Sequence, residues 1–353
     1  MLTAERARHA GTVAIQIGVA ALGGLAFHLL GLPAAFLSGA VIAGAAWGAL
    51  GFGTRTPRPL IDFAMLISGA TLGGGITPEA IEAAGRYPLS LLVMAVAVVA
   101  ITVASMASLV RFAGWRREDA FYACVPGAVS TVFAIALDRN AAVAKIMVVQ
   151  SIRLLVLVTM LPSLIALVGG GGAVGQLIGA GRPVAAPAEL ALMLFGGLAL
   201  GLLFLRLRLA APLLFGAILV SGTLHATATV PGVVPPVVAT AGLVVMGLFI
   251  GERFRDLPGR DLVRTLPAAL VSLVVGGAVA AAFAALSAVI ARVGYADAIV
   301  AFAPGGLEAM MMLALVLSLD PLFVGTHHLV RFLGIGLTLP LLVPWIFGPK
   351  REP

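Results

Sequence analysis

The chain has 353 residues, of which 61% are hydrophobic and 10% charged, and its mean hydropathy is +1.13. Soluble domains carry charge on about a quarter of their residues, so this composition excludes a water-soluble protein and predicts a polytopic membrane protein. A formal net charge of +7 would suggest nucleic acid as the partner of a soluble chain. Here the charge comes from arginines at the ends of apolar segments, which is typical of cytoplasmic loops. We therefore expect the lipid bilayer, and not nucleic acid, as the partner.

Apolar segments of about 20 residues, the length that crosses a bilayer, follow one another along the chain in two similar series. The first series is Thr12–Leu30, Pro33–Gly51, Pro59–Ile76, Leu89–Phe112, a broken segment Asp119–Leu137, and Ala141–Val168. The second is Leu190–Leu207, Ala211–Val230, Val233–Ile250, Pro267–Ile290, a broken segment Asp297–Leu319, and Pro321–Phe347. We expect a first membrane repeat over residues 9–168, a flexible Gly/Pro-rich linker over 169–186, and a second membrane repeat over 187–347.

The two series are copies of one another. Pro126-Gly127 returns as Pro304-Gly305 178 residues later, and Arg153/Arg331 keeps the same offset. A duplicated unit of this length is much longer than a solenoid repeat and is typical of half a transporter.

The placement of arginines predicts how each copy crosses the membrane. If the broken segments enter and leave on the same face and the N-terminus is inside, the cluster Arg253–Arg264 lies inside; if they cross, this cluster lies outside. The positive-inside rule favours the first arrangement. Each repeat then has five crossings, an odd number that inverts the second copy. We predict an all-α membrane protein with about ten transmembrane helices in two inverted repeats, each containing a Pro-Gly re-entrant segment, with both termini cytoplasmic.

The Pro-Gly pairs predict where each broken segment changes direction. Proline lacks an N–H and glycine accepts turn conformations, so Pro126-Gly127 and Pro304-Gly305-Gly306 can end one half-helix and begin another. A half-helix that begins there exposes unpaired N–H groups and a partial positive charge, which together form an anion site. The alternative is a packing kink in an ordinary spanning helix.

Two arginines are expected deep in the membrane. Arg153 lies about 18 Å along its final helix at 1.5 Å per residue, near the middle of a hydrocarbon core of about 30 Å, and Arg331 is its counterpart. Intramembrane arginines need a partner. A substrate anion would provide one, and the alternative is a structural bond to hairpin carbonyls or to Glu308.

The two copies differ at one polar position, where Ser130 corresponds to Glu308. Glu308 could cap its half-helix or carry a proton, and His327 and His328 are further candidates for proton coupling. The alternative for the histidine pair is local hydrogen bonding. The complete set predicted to bind substrate is Pro126, Gly127, Ser130, Arg153, Pro304, Gly305, Gly306, Glu308 and Arg331.

Sequence motifs of catalysis are missing from the chain. It has no HExxH zinc site, phosphate-binding Walker loop or nucleophile elbow, and we expect no enzymatic activity, metal or cofactor. The single cysteine, Cys124, excludes an intrachain disulfide.

The motifs resemble those of the AbrB duplication family of bacterial inner-membrane proteins. The resemblance rests on Val125-Pro126-Gly127-Ala128-Val129-Ser130-Thr131 followed by Val149-Gln150-Ser151-Ile152-Arg153. It rests equally on Ala303-Pro304-Gly305-Gly306-Leu307-Glu308-Ala309-Met310 followed by His328-Leu329-Val330-Arg331. The resemblance implies an inner-membrane location and the labels transcriptional regulator and ammonia monooxygenase. The residues support neither label as direct biochemistry, because a DNA-binding domain and oxygenase metal ligands are both missing from the sequence.

Two functions follow as expectations. The first is a secondary transporter of a small anionic solute, with the proton as a candidate coupling ion. The alternative is a non-enzymatic membrane sensor or regulator that affects gene expression indirectly, without binding DNA. A homodimer is a further expectation.

Overall fold

The computed structural model describes residues 2–76, 81–82, 84–168, 183–257 and 259–348. In these residues the regular structure is helical, apart from an isolated bridge between Val184 and Val233. In chain order the α-helices are α1 (Leu2–Leu29), α2 (Ala35–Ala49), α3 (Arg58–Gly73), α4 (Tyr87–Ala113), α5 (Arg117–Cys124), α6 (Val129–Asp138), α7 (Val143–Val168), α8 (Pro187–Arg206), α9 (Pro212–Ala226), α10 (Pro236–Gly251), α11 (Gly259–Ala291), α12 (Tyr295–Phe302), α13 (Leu307–Val316) and α14 (Pro321–Phe347).

Long apolar helices make this a multi-pass membrane protein. Seven stretches of the described chain are long and apolar enough to cross a bilayer. They are Ala10–Leu29, Ala84–Ala113, Val143–Leu167, Pro187–Arg206, Pro236–Asp256, Gly259–Ala291 and Pro321–Phe347. Helices α2, α3 and α9 have 15 or 16 residues, about 22–24 Å, which is shorter than the hydrocarbon core. The total of about ten crossings stays a prediction.

Helix α11 begins earlier than the sequence indicates. Its first residue is Gly259, and Pro267, the expected start, lies inside the helix. Several residues before Pro267 are charged, which is why the sequence indicates a loop there and an apolar span from Pro267 onward. In the structure Asp261 occupies the first turn, where a negative charge is favoured by the helix dipole.

Two compact units make up the described chain, and each takes elements from both halves of the sequence. The first unit contains α1–α3 and α8–α10. The second contains α4–α6, α11, α12, the start of α13 and most of α7 and α14. Both Pro-Gly breaks and both arginines of the predicted site therefore belong to the second unit.

Small residues bring the helices of the first unit close together. A Cβ added to Gly73 of α3 would lie 2.6 Å from Ser221 Cβ of α9, and one added to Gly247 of α10 would lie 2.7 Å from Ala40 Cβ of α2. At Ser221 the hydroxyl also donates to Ala70 O at 2.6 Å. Close backbone approach through glycine and alanine is the usual packing of membrane helices.

Hydroxyl groups join α4 and α11 in the second unit. Ser90 Oγ and Ser287 Oγ lie 2.7 Å apart, and Ser105 Oγ donates to Ser272 O at 3.3 Å. Facing away from these contacts, both helices present apolar side chains to the surroundings. Such polar contacts between otherwise apolar helices hold them in register.

The predicted linker lies only partly in the described chain. Residues 169–182 are outside the described residues. The following residues pair with the segment before α10: Ala185 N donates to Val233 O at 2.8 Å, and Val233 N donates to Pro183 O at 2.9 Å.

Candidate functional site

The first break separates α5 from α6 over four residues, Val125 to Ala128. Gly127 has φ of 101° and Ala128 has φ of 47°, so two consecutive residues occupy the left-handed half of backbone space. Glycine reaches that region without cost, whereas alanine does so only under strain. The preceding Pro126 has no N–H to continue α5. These residues end one half-helix and begin the next.

The second break uses a different turn for the same purpose. Helix α12 ends at Phe302 and α13 begins at Leu307. Between them Gly305 N donates to Ala303 O at 2.8 Å, and neither Gly305 nor Gly306 has a positive φ. The two Pro-Gly motifs are therefore equivalent in position but not in backbone conformation.

The first broken segment folds back on itself. Arg139, which follows α6, forms an ion pair with Glu118 at the start of α5, and Asp119 Oδ1 accepts from Ala142 N at 3.0 Å. In a straight helix residues 118 and 139 would be about 30 Å apart. The hydrogen bond with Glu118 also raises the pKa of the Arg139 guanidinium above its ordinary value, because it stabilises the charged form.

After each break the last helix of the repeat runs alongside the first half-helix, in the same direction. In the first copy Gln150 Nε2 donates to Tyr122 O at 3.0 Å. In the second, His328 Nε2 lies 2.9 Å from Val300 O, and both residues of this pair are 178 positions further on. The same contact thus occurs in both copies, made by glutamine in the first and by histidine in the second. The two residues of each pair are 28 positions apart, so the chain between them must fold back.

Arg153 is hydrogen-bonded to the end of α5. Its Nη1 donates to Ala123 O at 3.4 Å and Cys124 O at 3.2 Å, and its Nη2 donates to Val125 O at 3.4 Å. Only 8% of the residue is exposed. The last carbonyls of a helix have no partners within it and carry the negative end of the dipole, so the guanidinium satisfies them.

Arg331 occupies the equivalent place at the end of α12. Its Nη1 donates to Ala303 O at 2.8 Å, and its Nη2 donates to Gly305 O at 3.0 Å and to His328 Nδ1 at 2.6 Å. The residue is 4% exposed. In both copies the structure therefore has the bond to hairpin carbonyls that the sequence left as one of two alternatives.

In the described residues the two buried guanidinium groups have no acidic side chain as a partner. Within the described part of the chain, no carboxylate oxygen lies within 4.0 Å of Arg153 or Arg331. The region around the breaks consequently carries uncompensated positive charge in a low-dielectric setting, where electrostatic interactions are strong.

The two breaks lie next to one another in the second unit. A Cβ added to Gly127 would lie 3.7 Å from Arg331 Nε, and one added to Gly306 would lie 3.9 Å from Leu154 Cδ1. Each break thus faces the final helix of the other copy, close to its arginine. The sequence predicts that the two Pro-Gly tips meet. In the structure each tip lies against the final helix of the opposite copy, which is α14 for Gly127 and α7 for Gly306.

His327 is part of a buried hydroxyl chain. Its Nδ1 lies 2.8 Å from Phe323 O, so Nδ1 carries the proton and Nε2 accepts from Ser90 Oγ at 2.5 Å. Ser90 in turn accepts from Ser287. Ser90 and Ser287 are not among the residues predicted from the sequence, because an isolated serine in an apolar helix belongs to no motif.

His328 contacts Arg331 in a fixed orientation. Its Nε2 donates to the Val300 carbonyl, and its Nδ1 accepts from Arg331. A second proton on this ring would point at the guanidinium N–H and break that hydrogen bond. The arrangement indicates that His328 positions the Arg331 guanidinium. Both ring nitrogens of His328 have hydrogen-bond partners, so neither is free for the predicted proton coupling.

Ser130 and Glu308 are accessible polar residues in the half-helices that begin at the breaks. Ser130 is exposed in the first turn of α6, and Glu308 is half-buried in the first turn of α13. Neither has a hydrogen bond to the arginines among the described residues, so the expected cluster of His, Arg and Glu is only partly assembled. In contrast, Pro126, Pro304 and Gly305 are buried, and Gly127 and Gly306 are half-buried.

These features define a class: a multi-pass helical membrane protein with two adjacent broken helices, each braced by a buried arginine. The chain belongs to the AbrB family, because the family model described as "Transition state regulatory protein AbrB" matches residues 36–347. It is also similar to a protein of Escherichia coli strain K12 described as "Putative regulator AbrB". The two are 26% identical over 341 residues, which cover 94% of this chain and 95% of that protein. No solved structure matches the chain. The family predicted from the paired motifs is confirmed.

Proposed function

We propose that the chain is a secondary transporter of a small anionic solute, with its pathway at the two broken segments. The observation that carries the proposal is the pair of adjacent Pro-Gly breaks together with two buried arginines that have no carboxylate partner among the described residues. Non-helical backbone at membrane depth is stable only when it is buried in protein or lines a water-filled cavity. Uncompensated positive charge at that depth favours an anionic ligand.

The arginines and the half-helices have different parts in this proposal. Because each guanidinium already binds hairpin carbonyls, it supplies positive charge more than free hydrogen-bond donors. The first N–H groups of α6 and α13 have no partner within their helices and are suited to binding an anion directly. Ser130 and Glu308 stand in those same turns and are accessible to a solute.

The fold-back of each broken segment supports five crossings per half and hence two inverted repeats. We expect about ten transmembrane helices in the bacterial inner membrane, both termini in the cytoplasm, and the linker at 169–186 on the outer face. Fusions of alkaline phosphatase, which is active only outside the cytoplasm, can test this. Activity at the linker and none at either terminus is expected. Activity at one terminus would contradict the inverted repeat.

Uptake into proteoliposomes tests transport itself. The purified protein is reconstituted, and entry of labelled monocarboxylates, phosphate and sulfate is compared with that into protein-free liposomes, with and without an inward proton gradient. We expect at least one anion to enter faster with the protein and faster again with the gradient. If monodisperse, correctly inserted protein moves none of them, the transport proposal fails.

Glu308→Gln examines the proton. The glutamine keeps the size and hydrogen-bonding capacity of the side chain but cannot titrate. We expect uptake driven by the proton gradient to fall to the level without a gradient, while exchange of labelled for unlabelled anion continues. The control is Asp256→Asn, which removes a carboxylate from an exposed ion pair with Arg55, where little stability is at stake. Equal stimulation by the gradient in both variants would exclude Glu308 as the carrier.

A sensor or regulator without enzymatic activity or DNA binding is the second candidate, and the names of the family and of the Escherichia coli relative favour it. Such a protein would bind the anion at the same site and act through a partner protein. The discriminating result is saturable binding of an anion without entry into proteoliposomes. Either function is compatible with a homodimer. The molecular mass of the purified protein in detergent solution tests this expectation.

A further inference from the structure

An apolar groove runs along the second unit beside Arg331. Helices α4, α5 and α14 enclose a cavity of about 420 Å³, within the range of about 300–1,000 Å³ that holds small organic ligands. Its walls are formed almost entirely by hydrocarbon side chains, among them Met94, Phe121 and Leu339. Val99 and Val103 line the groove and are 62% and 53% exposed, so the groove opens onto the apolar outer surface of α4.

Arg331 is the charged residue of this lining. Among the described residues its Nη1 and Nη2 have acceptors, whereas Nε has none. The other polar side chains of the groove donate to their own helices: Thr102 Oγ1 to Val98 O and Thr338 Oγ1 to Gly334 O, each at 2.7 Å. Arg331 has five N–H groups, so unused donors remain on it, the Nε–H among them, and they belong to a buried cation.

This combination selects one class of ligand. A buried guanidinium with a free N–H binds a carboxylate through a charge-assisted hydrogen bond, which is stronger than a neutral one. The rest of the lining is apolar and contributes to binding only by burying apolar surface of the ligand. A small hydrophilic anion would lose its hydration without receiving further hydrogen bonds, whereas an uncharged hydrocarbon would leave the Arg331 charge unpaired.

We propose that the groove binds an amphipathic monocarboxylate, with its carboxylate at Arg331 Nε and its hydrocarbon chain along α4 and α14. The ligand enters from the bilayer, chain and head together, through the opening at the outer surface of α4. The claim that this ligand is the transported solute rests on the proposed function, because it names the chemical class of the anion that the protein would carry. As a binding site it stands independently of transport.

Two glycines of α14 provide a matched pair of variants. A Cβ added to Gly334 or to Gly336 would meet no atom within 4 Å, so both positions accept a side chain without a backbone clash. Gly334 lines the groove and Gly336 does not. Gly334→Leu should fill the groove, and Gly336→Leu controls for the same change in the same helix.

The experiment measures binding of labelled octanoate to the full chain in phosphatidylcholine nanodiscs, with protein-free nanodiscs as the background. We expect saturable binding that acetate and octanol do not displace. Gly334→Leu should weaken it about tenfold or more, as loss of a buried apolar contact does, and Gly336→Leu should leave it within about twofold. Arg331→Lys should weaken binding more than Arg153→Lys, because Arg153 braces the other hairpin and is not part of the groove lining.

Several results would overturn the inference. These are equal octanoate affinity in Gly334→Leu and Gly336→Leu, displacement by acetate as effective as by octanoate, or an equal effect of the two Arg→Lys changes. Phosphatidylglycerol that copurifies with the wild type and is lost from Gly334→Leu would assign the groove to a membrane lipid instead. A change from dimer to monomer in Gly334→Leu would assign it to a second copy of the chain.

Failure of this inference and failure of the proposed function can be told apart. Octanoate binding without uptake retains the site and rejects transport. Uptake of a small hydrophilic anion, unaffected by Gly334→Leu, retains transport and rejects the amphipathic substrate.

Discussion

Replacing Gly127 with alanine tests whether the first break depends on a glycine-only backbone. An added Cβ would lie 3.7 Å from Arg331 Nε and 3.9 Å from Ile335 Cδ1, which are ordinary contact distances. Space is therefore not limiting, and the cost comes from φ of 101°. Residues other than glycine held in such regions cost about 1–3 kcal/mol, so we expect Gly127→Ala to lower the free energy of unfolding by that amount.

Gly306→Ala is the matched control, because it lies in the equivalent break. Its φ is not positive and its nearest new contact is Leu154 Cδ1 at 3.9 Å, so we expect a change within about 0.5 kcal/mol. Both variants can be measured by reversible unfolding with dodecyl sulfate in mixed micelles, followed by circular dichroism. A neutral Gly127→Ala, or equal losses in the two variants, would refute the reasoning, since neither result fits a cost that arises from backbone conformation.

Two further predictions concern the buried polar contacts. Arg153→Met and Arg331→Met should each lower the free energy of unfolding by about 1–3 kcal/mol, because hairpin carbonyls lose their hydrogen-bond donor. Hydrogen exchange should become faster in residues 117–128 for Arg153→Met and in residues 295–306 for Arg331→Met. Unchanged exchange in the affected hairpin would contradict the bracing role. Ser90→Ala should cost about 1–3 kcal/mol by leaving His327 Nε2 unpaired. Ser108→Ala should cost less, because that hydroxyl donates to Ser105 O in its own helix, and a reversed order in unfolding measurements would contradict the hydroxyl chain.

The sequence predicted the class of fold and the location of the breaks because both depend on local chemistry. Twenty-residue apolar runs need no tertiary information to indicate membrane helices, and proline followed by glycine interrupts a helix wherever it occurs. Arg153 and Arg331 were likewise identifiable, because a charge in the middle of an apolar segment is conspicuous. The start of α11 at Gly259 is not identifiable from the sequence, because the polar residues before Pro267 resemble a loop.

Only the tertiary structure decided what the arginines bind. A sequence shows that a buried cation needs a partner but not which acceptor lies within reach, and here the acceptors are carbonyls 28 to 30 residues away from Arg153. The same limit applies to the Arg331 groove, which exists because α4 and α5 pack beside α14. Local propensity is set by each residue and its near neighbours, whereas partners distant in sequence are set by how the chain folds back at the two breaks.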